Sequence, residues 1–199
     1  MLSESFDALV NGLKKMPGIG EKTATRLALF LIEMPKEEAR EIGETLITAV
    51  ETFKNCPVCN ILTDQTPCSF CCDEMRDKNQ LCVVENTQDV FLVEKTHEYK
   101  GQYFVLGKLL SPMDGIGPNE INFPLLLKYL AENPVDELIL ALSPSVEGET
   151  TINYLVQQIH TEVKNITRLS TGLPFGGDME YATSKTLTTA LQRRYTIED

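Results

Sequence analysis

What this 199-residue chain lacks narrows its function before any motif is read. The amino-terminal string MLSESFDALV has no basic stretch leading into an apolar run and a small-residue cleavage site, and no window reaches membrane-spanning length. A cytoplasmic protein with no membrane partner is expected, in a compartment where cysteines stay reduced. The chain also lacks a surplus of positive charge. A formal net charge of -11 excludes a general nucleic-acid coating protein, because phosphate backbones are bound largely by Lys and Arg. Any DNA contact must be local. There is no internal repeat and no low-complexity segment. The glycine-rich string TGLPFGGDMEY lacks the Gly-Lys-Ser/Thr ending of a P-loop, which argues against nucleotide binding there.

What is present centres on the segment CPVCNILTDQTPCSFC, with two Cys-x-x-Cys pairs at Cys56, Cys59, Cys68 and Cys71. Each pair places two thiolates at one tight turn, and two such turns complete the tetrahedron that zinc prefers. Two disulfides or four unrelated thiols are the alternatives, and the spacing together with the missing export signal favours metal. Val58, Ile61, Leu62 and Phe70 are a meagre local core, so a metal would supply much of the folding energy. The expectation is one structural Zn2+ per chain, because four thiolates leave no position open for water or substrate. Such a zinc would act as a rigid elbow between a helical segment upstream and an alternating α/β segment downstream. Cys72 is an extra thiol beside Cys71, where two-residue spacing favours Cys71 as ligand; Cys82 reads as a buried small hydrophobe.

Upstream, apolar spacing predicts helices over 5–14, from Glu21 to Pro35 and from Lys36 to about Phe53, the last with Ile42, Leu46, Ile47 and Val50 on one stripe. Met16-Pro17-Gly18-Ile19-Gly20 interrupts the first two with hairpin residues. Lys14, Lys15, Lys22 and Arg26 there face one acid, Glu21. KKMPGIGEKTATRLA resembles a helix-hairpin-helix DNA-binding motif. Backbone amides at Gly18 and Gly20 would meet a phosphate at the start of the second helix, with Lys22 and Arg26 one turn apart beside it. That contact reads backbone and not sequence.

Downstream of a polar connector over 73–80, strands and helices alternate. Strands are expected at 81–84, near 103–106, at 137–142 and 164–169, with helices at 87–95, 122–131, 149–160 and 182–193. That alternation implies a parallel α/β sheet with right-handed crossovers, whose ligands gather beyond the carboxyl ends of the strands. Glu85 and the string SPSVEGE, from Ser143 to Glu149, stand at such ends. The fold class is therefore α+β and multidomain.

A glutamate after one strand and a Glu-Gly-Glu after another resemble the Toprim domain of topoisomerases, primases and related nucleases, whose carboxylates hold magnesium in catalytic members. Glu85, Glu147 and Glu149 keep part of that pattern. Ser143 and Ser145 stand where the two aspartates would be, and neutral hydroxyls do not replace charged ligands for a hard cation. None of the six tyrosines has the context of a strand-cleaving nucleophile. A residual magnesium-dependent nuclease or topoisomerase is the alternative to a non-enzymatic scaffold.

The order of parts, with KMPGIGEKTATRLA, CPVC and CSFC, YFVLGKLLSPMDGIGP, VEGETT and GLPFGGDMEY, resembles the bacterial RecR family of recombination mediators over essentially the whole chain. The resemblance implies a helix-hairpin-helix domain over 1–54, a four-cysteine zinc finger over 55–72, a Toprim-like domain over 79–170 and a tail over 171–199 that takes part in assembly. It further implies a non-enzymatic protein of recombinational DNA repair, nucleoid-associated during repair. Such a protein acts with RecO- and RecF-type partners to load recombinase at gapped or single-stranded DNA, and forms homodimers and ring-like tetramers. By position, Lys22 and Arg26 would contact DNA, while Glu85, Glu147 and Glu149 would face RecO. Thr171 and Thr183 depart from the histidine and aspartate many members carry, which removes support for a nucleotide-hydrolysis motif in the tail.

Overall fold

The computed structural model describes residues 3–173 and 176–194. Pro174 and Phe175 of the glycine-rich string and the last five residues of the tail lie outside the described residues. Compactness divides the chain at one place, into Met1–Phe53 and Lys54–Asp199. The cysteine segment therefore belongs with the sheet.

The first unit consists of helices α1 (Glu4–Leu13), α2 (Glu21–Glu33) and α3 (Lys36–Thr52). Ser3 caps α1 by accepting from the Phe6 amide at 3.2 Å. Pro35 starts α3, where its missing N–H costs nothing. The buried side chains are Val10, Ala24 and Ala28, packed by Phe6, Leu9, Leu13 and Ile19. The expected stripe on α3 does form, but it faces outward: Ile42, Leu46, Ile47 and Val50 are all exposed.

The second unit opens with a short antiparallel pair, β1 (Lys54–Asn55) and β2 (Leu62–Thr63), and a one-turn helix α4 (Ser69–Cys72). The sheet comes next: β3 (Asp77–Val84), β4 (Gly101–Val105), β5 (Glu137–Ala141) and β6 (Asn165–Arg168), all parallel in the order β4-β3-β5-β6. Helices α5 (Thr87–Glu94), α6 (Phe123–Glu132), α7 (Val146–Ile159) and α8 (Ser184–Gln192) alternate with and succeed the strands. Local chemistry starts three of them. Asn86 and Asp89 form a reciprocal capping box on α5, Pro124 sits in the first turn of α6, and Ser145 caps α7.

Two expectations are corrected. The polar stretch 77–80 is not a connector but the first half of β3, where Gln80 pairs with Glu137 and its amide donates to the Glu137 carboxylate at 3.0 Å. Helix α7 begins at Val146 rather than Glu149, because Gly148 is a packing residue and not a breaker. A Cβ at Gly148 would lie 1.9 Å from the Ser143 carbonyl oxygen, so only glycine lets this turn press against the end of β5.

Strand alternation sorts the sheet into two cores. Leu81, Val83, Phe104, Leu106, Leu138 and Leu140 pack with α6 and α7 residues such as Leu126 and Leu155. Cys82, Val84, Tyr103 and Val105 instead pack with Val90 and with Cys56, Cys59, Ile61 and Cys68. The cysteine segment therefore covers part of one sheet face. Cys82 is buried there as a small hydrophobe, and burial pushes its thiol up to about 12. No described helix is long and apolar enough to cross a membrane.

Candidate functional site

The four expected cysteines converge. Their sulfurs all lie within 4.8 Å of one another, with Cys56 and Cys71 3.9 Å apart and Cys59 and Cys68 3.4 Å apart. Tetrahedral zinc at about 2.3 Å from each sulfur needs edges of about 3.8 Å. The donor set thus fits a metal ion that prefers thiolates. Crowding also splits the thiols: the hydrogen bond between Cys59 and Cys68 raises the first and lowers the second. A cation at the centre is what allows all four to ionise together. Cys72 is exposed, with its sulfur directed to the Pro67 carbonyl at 3.8 Å, outside the cluster.

The knuckle is fastened to the sheet by an aromatic and ionic bracket. Phe70, between Cys68 and Cys71, meets Tyr103 edge-on at 5.6 Å. The Arg76 guanidinium lies over both rings, at 4.9 and 5.3 Å, pairs with Glu94 at 2.6 Å and donates to the Gly101 carbonyl at 2.6 Å. Burial opposes ionisation of Glu94, but the Tyr103 hydroxyl and Arg76 outweigh it and hold the carboxyl below its ordinary value. No sequence signal marked Arg76, because its partners come from three separate stretches.

In the helical unit, Gly18 adopts the left-handed φ of 78° that the turn requires, and Gly20 is the residue before α2. No side chain accepts from the first amides of α2. Those donors and the helix dipole face outward, with Lys22 and Arg26 on the same helix one turn apart. Lys14 is spoken for: it pairs with Glu21 across the hairpin. Lys15 lies on the turn itself, bonded back to Gly12 through its amide at 3.2 Å.

The carboxyl ends of β3, β4 and β5 line one cleft of about 530 Å3 through Glu85, Gly107, Lys108, Ser143, Ser145 and Glu147. Asp114, from the 3-10 turn Pro112–Asp114, joins them and accepts from the Ser111 hydroxyl at 2.5 Å. Asp114 was not among the expected residues, since only the folded loop brings it to the strand ends. Desolvation, then repulsion from Asp89, raises Glu85 above its ordinary value. Ser145 accepts from the Gly148 amide at 3.0 Å, so its hydroxyl is committed to capping α7. Glu149 is not part of this cleft. It forms a two-pronged pair with Arg168, at 2.7 and 2.9 Å, which lowers its carboxyl, and it lines a separate hollow with Lys185 and Arg193.

Comparison with known proteins adds the family to this geometry. Residues 79–170 match the Toprim domain, and residues 6–50 match the RecR helix-hairpin-helix. A recombination protein RecR of Francisella tularensis subsp. novicida (strain U112) is 40% identical over 99% of this chain and 98% of its own. One from Gloeothece citriformis (strain PCC 7424) is 42% identical over 100% of this chain and 99% of its own. With both domains matched in order and the whole length covered, the chain belongs to the RecR family.

Proposed function

We propose that the protein is a non-enzymatic DNA-binding scaffold of recombinational repair. It holds backbone phosphates through the hairpin of the helical unit and presents the acidic cleft of the sheet unit to a RecO-type partner. With RecF-type proteins it helps load recombinase at gapped or single-stranded DNA. The observation that carries this reading is the uncapped start of α2, reached through Gly18 and Gly20 and flanked by Lys22 and Arg26. It is a compact anion site in a chain whose overall net charge is -11. Zn2+ at Cys56, Cys59, Cys68 and Cys71 would be structural.

One monomer offers few phosphate contacts, so assembly into dimers and ring-like tetramers supplies multivalency. The exposed apolar residues of α3 support such assembly. The second reading, magnesium-dependent strand cleavage, has one observation in its favour: Asp114 adds a third carboxylate to Glu85 and Glu147. Against it, the two serines bring no charge, and one of them is already a helix cap.

The test is Lys22→Ala with Arg26→Ala, measured as DNA affinity against salt. Losing two phosphate contacts should lower the slope of log K against log salt by about 1.4 to 1.8, with oligomer size and melting temperature unchanged. An unchanged slope would move the DNA surface elsewhere. Strand cleavage that needs magnesium and vanishes in Glu85→Gln would replace the scaffold reading with the enzymatic one.

A further inference from the structure

The acidic cleft has a wall, Gly107 to Leu109, whose position is set from both sides. On the far side, the Leu110 amide donates to the Thr151 hydroxyl of α7 at 2.8 Å. On the near side the hold comes from the cysteine knuckle. The Val105 amide donates to the Cys59 carbonyl at 2.9 Å, and the Asn60 side-chain amide donates to the Val105 carbonyl at 2.7 Å. Asn122 repeats the device one residue on, donating to the Leu106 carbonyl at 2.7 Å. Gly107, with φ of 84°, then turns the chain into the cleft and donates to the Glu85 carbonyl at 2.7 Å.

Two asparagines thus flank the turn. A Cβ at Gly107 would lie 3.0 Å from the Asn122 amide nitrogen and 3.6 Å from that of Asn60. Asn60 is itself fixed by the knuckle: it sits between Cys59 and Ile61 in the left-handed conformation, φ 62°, with its amide donating to the Cys56 carbonyl at 2.9 Å. The next rung, from the Cys56 amide to the Ile61 carbonyl at 2.8 Å, closes the same turn. Asn60 is buried, which places both of its tasks out of reach of water.

We propose that Asn60 is a positioning residue through which the cysteine knuckle holds the Gly107–Leu109 wall of the acidic cleft. Ordering of the knuckle by metal is then ordering of the cleft. The functional weight of this coupling rests on the cleft being the partner-facing site proposed above; the hold on the wall does not.

The test uses the full chain with Asn60→Gly and Asn60→Asp. Both tolerate the left-handed backbone, and both remove the amide donor, whereas alanine would strain the turn. Hydrogen exchange is followed over 105–111 and over α1 and α2, at saturating zinc, with bound metal counted by mass spectrometry. The expected result is metal content equal to wild type, exchange over 106–111 roughly fivefold faster, as for the loss of one buried hydrogen bond, and no change in α1 or α2. Wild type stripped by chelator should show the same local rise. Unchanged exchange over 106–111 in the variants at saturating zinc would overturn the proposal, as would a chelated wild type that keeps this stretch protected. A wild-type protein purified without metal would sink the zinc reading instead, while the variants still report on the wall.

Discussion

In the helical unit the buried side chains are Val10, Ala24 and Ala28, two of them alanines, whereas the sheet unit buries Leu81, Val83, Phe104, Leu126, Leu138 and Leu155 around one sheet and adds a second core built partly of cysteines. Alanines let α1 and α2 approach closely but remove little apolar surface from water. Several of the larger apolar residues of this unit, Phe30, Ile32, Leu46, Ile47 and Val50, face outward. The helical unit therefore keeps much of its hydrophobic area for something outside itself. The sheet unit instead closes a core of large side chains around its strands, and at the knuckle, where apolar residues are few, thiols stand ready for a metal.

The largest effect should come from breaking the second core. Cys56→Ser with Cys59→Ser removes half the donor set and is expected to cost the sheet unit several kcal/mol, read as a lowered melting temperature with loss of bound metal. Exchange in α1 and α2 should stay as it was. Equal loosening of both units would erase the contrast and restore the picture of zinc as an elbow that also steadies the helical part.

Next in size is overpacking of the small core. Ala28 is fully buried, so Ala28→Leu should cost about 1–3 kcal/mol by forcing α1 and α2 apart. Exchange of α1 and α2 amides should rise first, with β3 and β5 unaffected. DNA affinity should fall with it, because the hairpin joins those two helices.

The smallest effect is electrostatic and belongs to the sheet unit. Glu149 has a folded value lowered by Arg168 from its ordinary 4.5. Its contribution is therefore present above pH 4.5 and is lost as pH falls through the lower folded value. Glu85 works in the opposite sense: its raised value means that its contribution is complete below pH 4.5 and is lost as pH rises through the folded value. Arg168→Ala should cost under about 1 kcal/mol at neutral pH, since the pair is partly exposed. Glu85→Gln should leave neutral-pH stability unchanged or slightly higher. Denaturant melts of both variants between pH 3 and 7 would check the two signs against each other.

Much of this was legible from spacing. Two Cys-x-x-Cys turns must bring four sulfurs together, and Pro-Gly-Ile-Gly between apolar helices must turn the chain, because both signals are local. The misses share a cause of another kind. Residues 77–80 look like a linker because the polar side chains of Asp77, Lys78, Asn79 and Gln80 hide a strand, and only pairing with β4 and β5 reveals it. Gly148 looks like a helix breaker until Ser143 is seen against it. Asp114 reaches the cleft, and Glu149 leaves it, by tertiary placement that no spacing rule encodes.

One consequence concerns the outer margin of the sheet. Strand β4 lies at the end of the order β4-β3-β5-β6, and its free side is occupied by Arg76 at the Gly101 carbonyl and by Cys59 and Asn60 at Val105. These contacts occupy backbone groups that would otherwise template a strand from another molecule. Loss of a metal from the four cysteines, or their oxidation, would then do more than soften one module. It would free the Val105 amide and carbonyl at this edge, and the expected outcome is self-association before any loss of helical content.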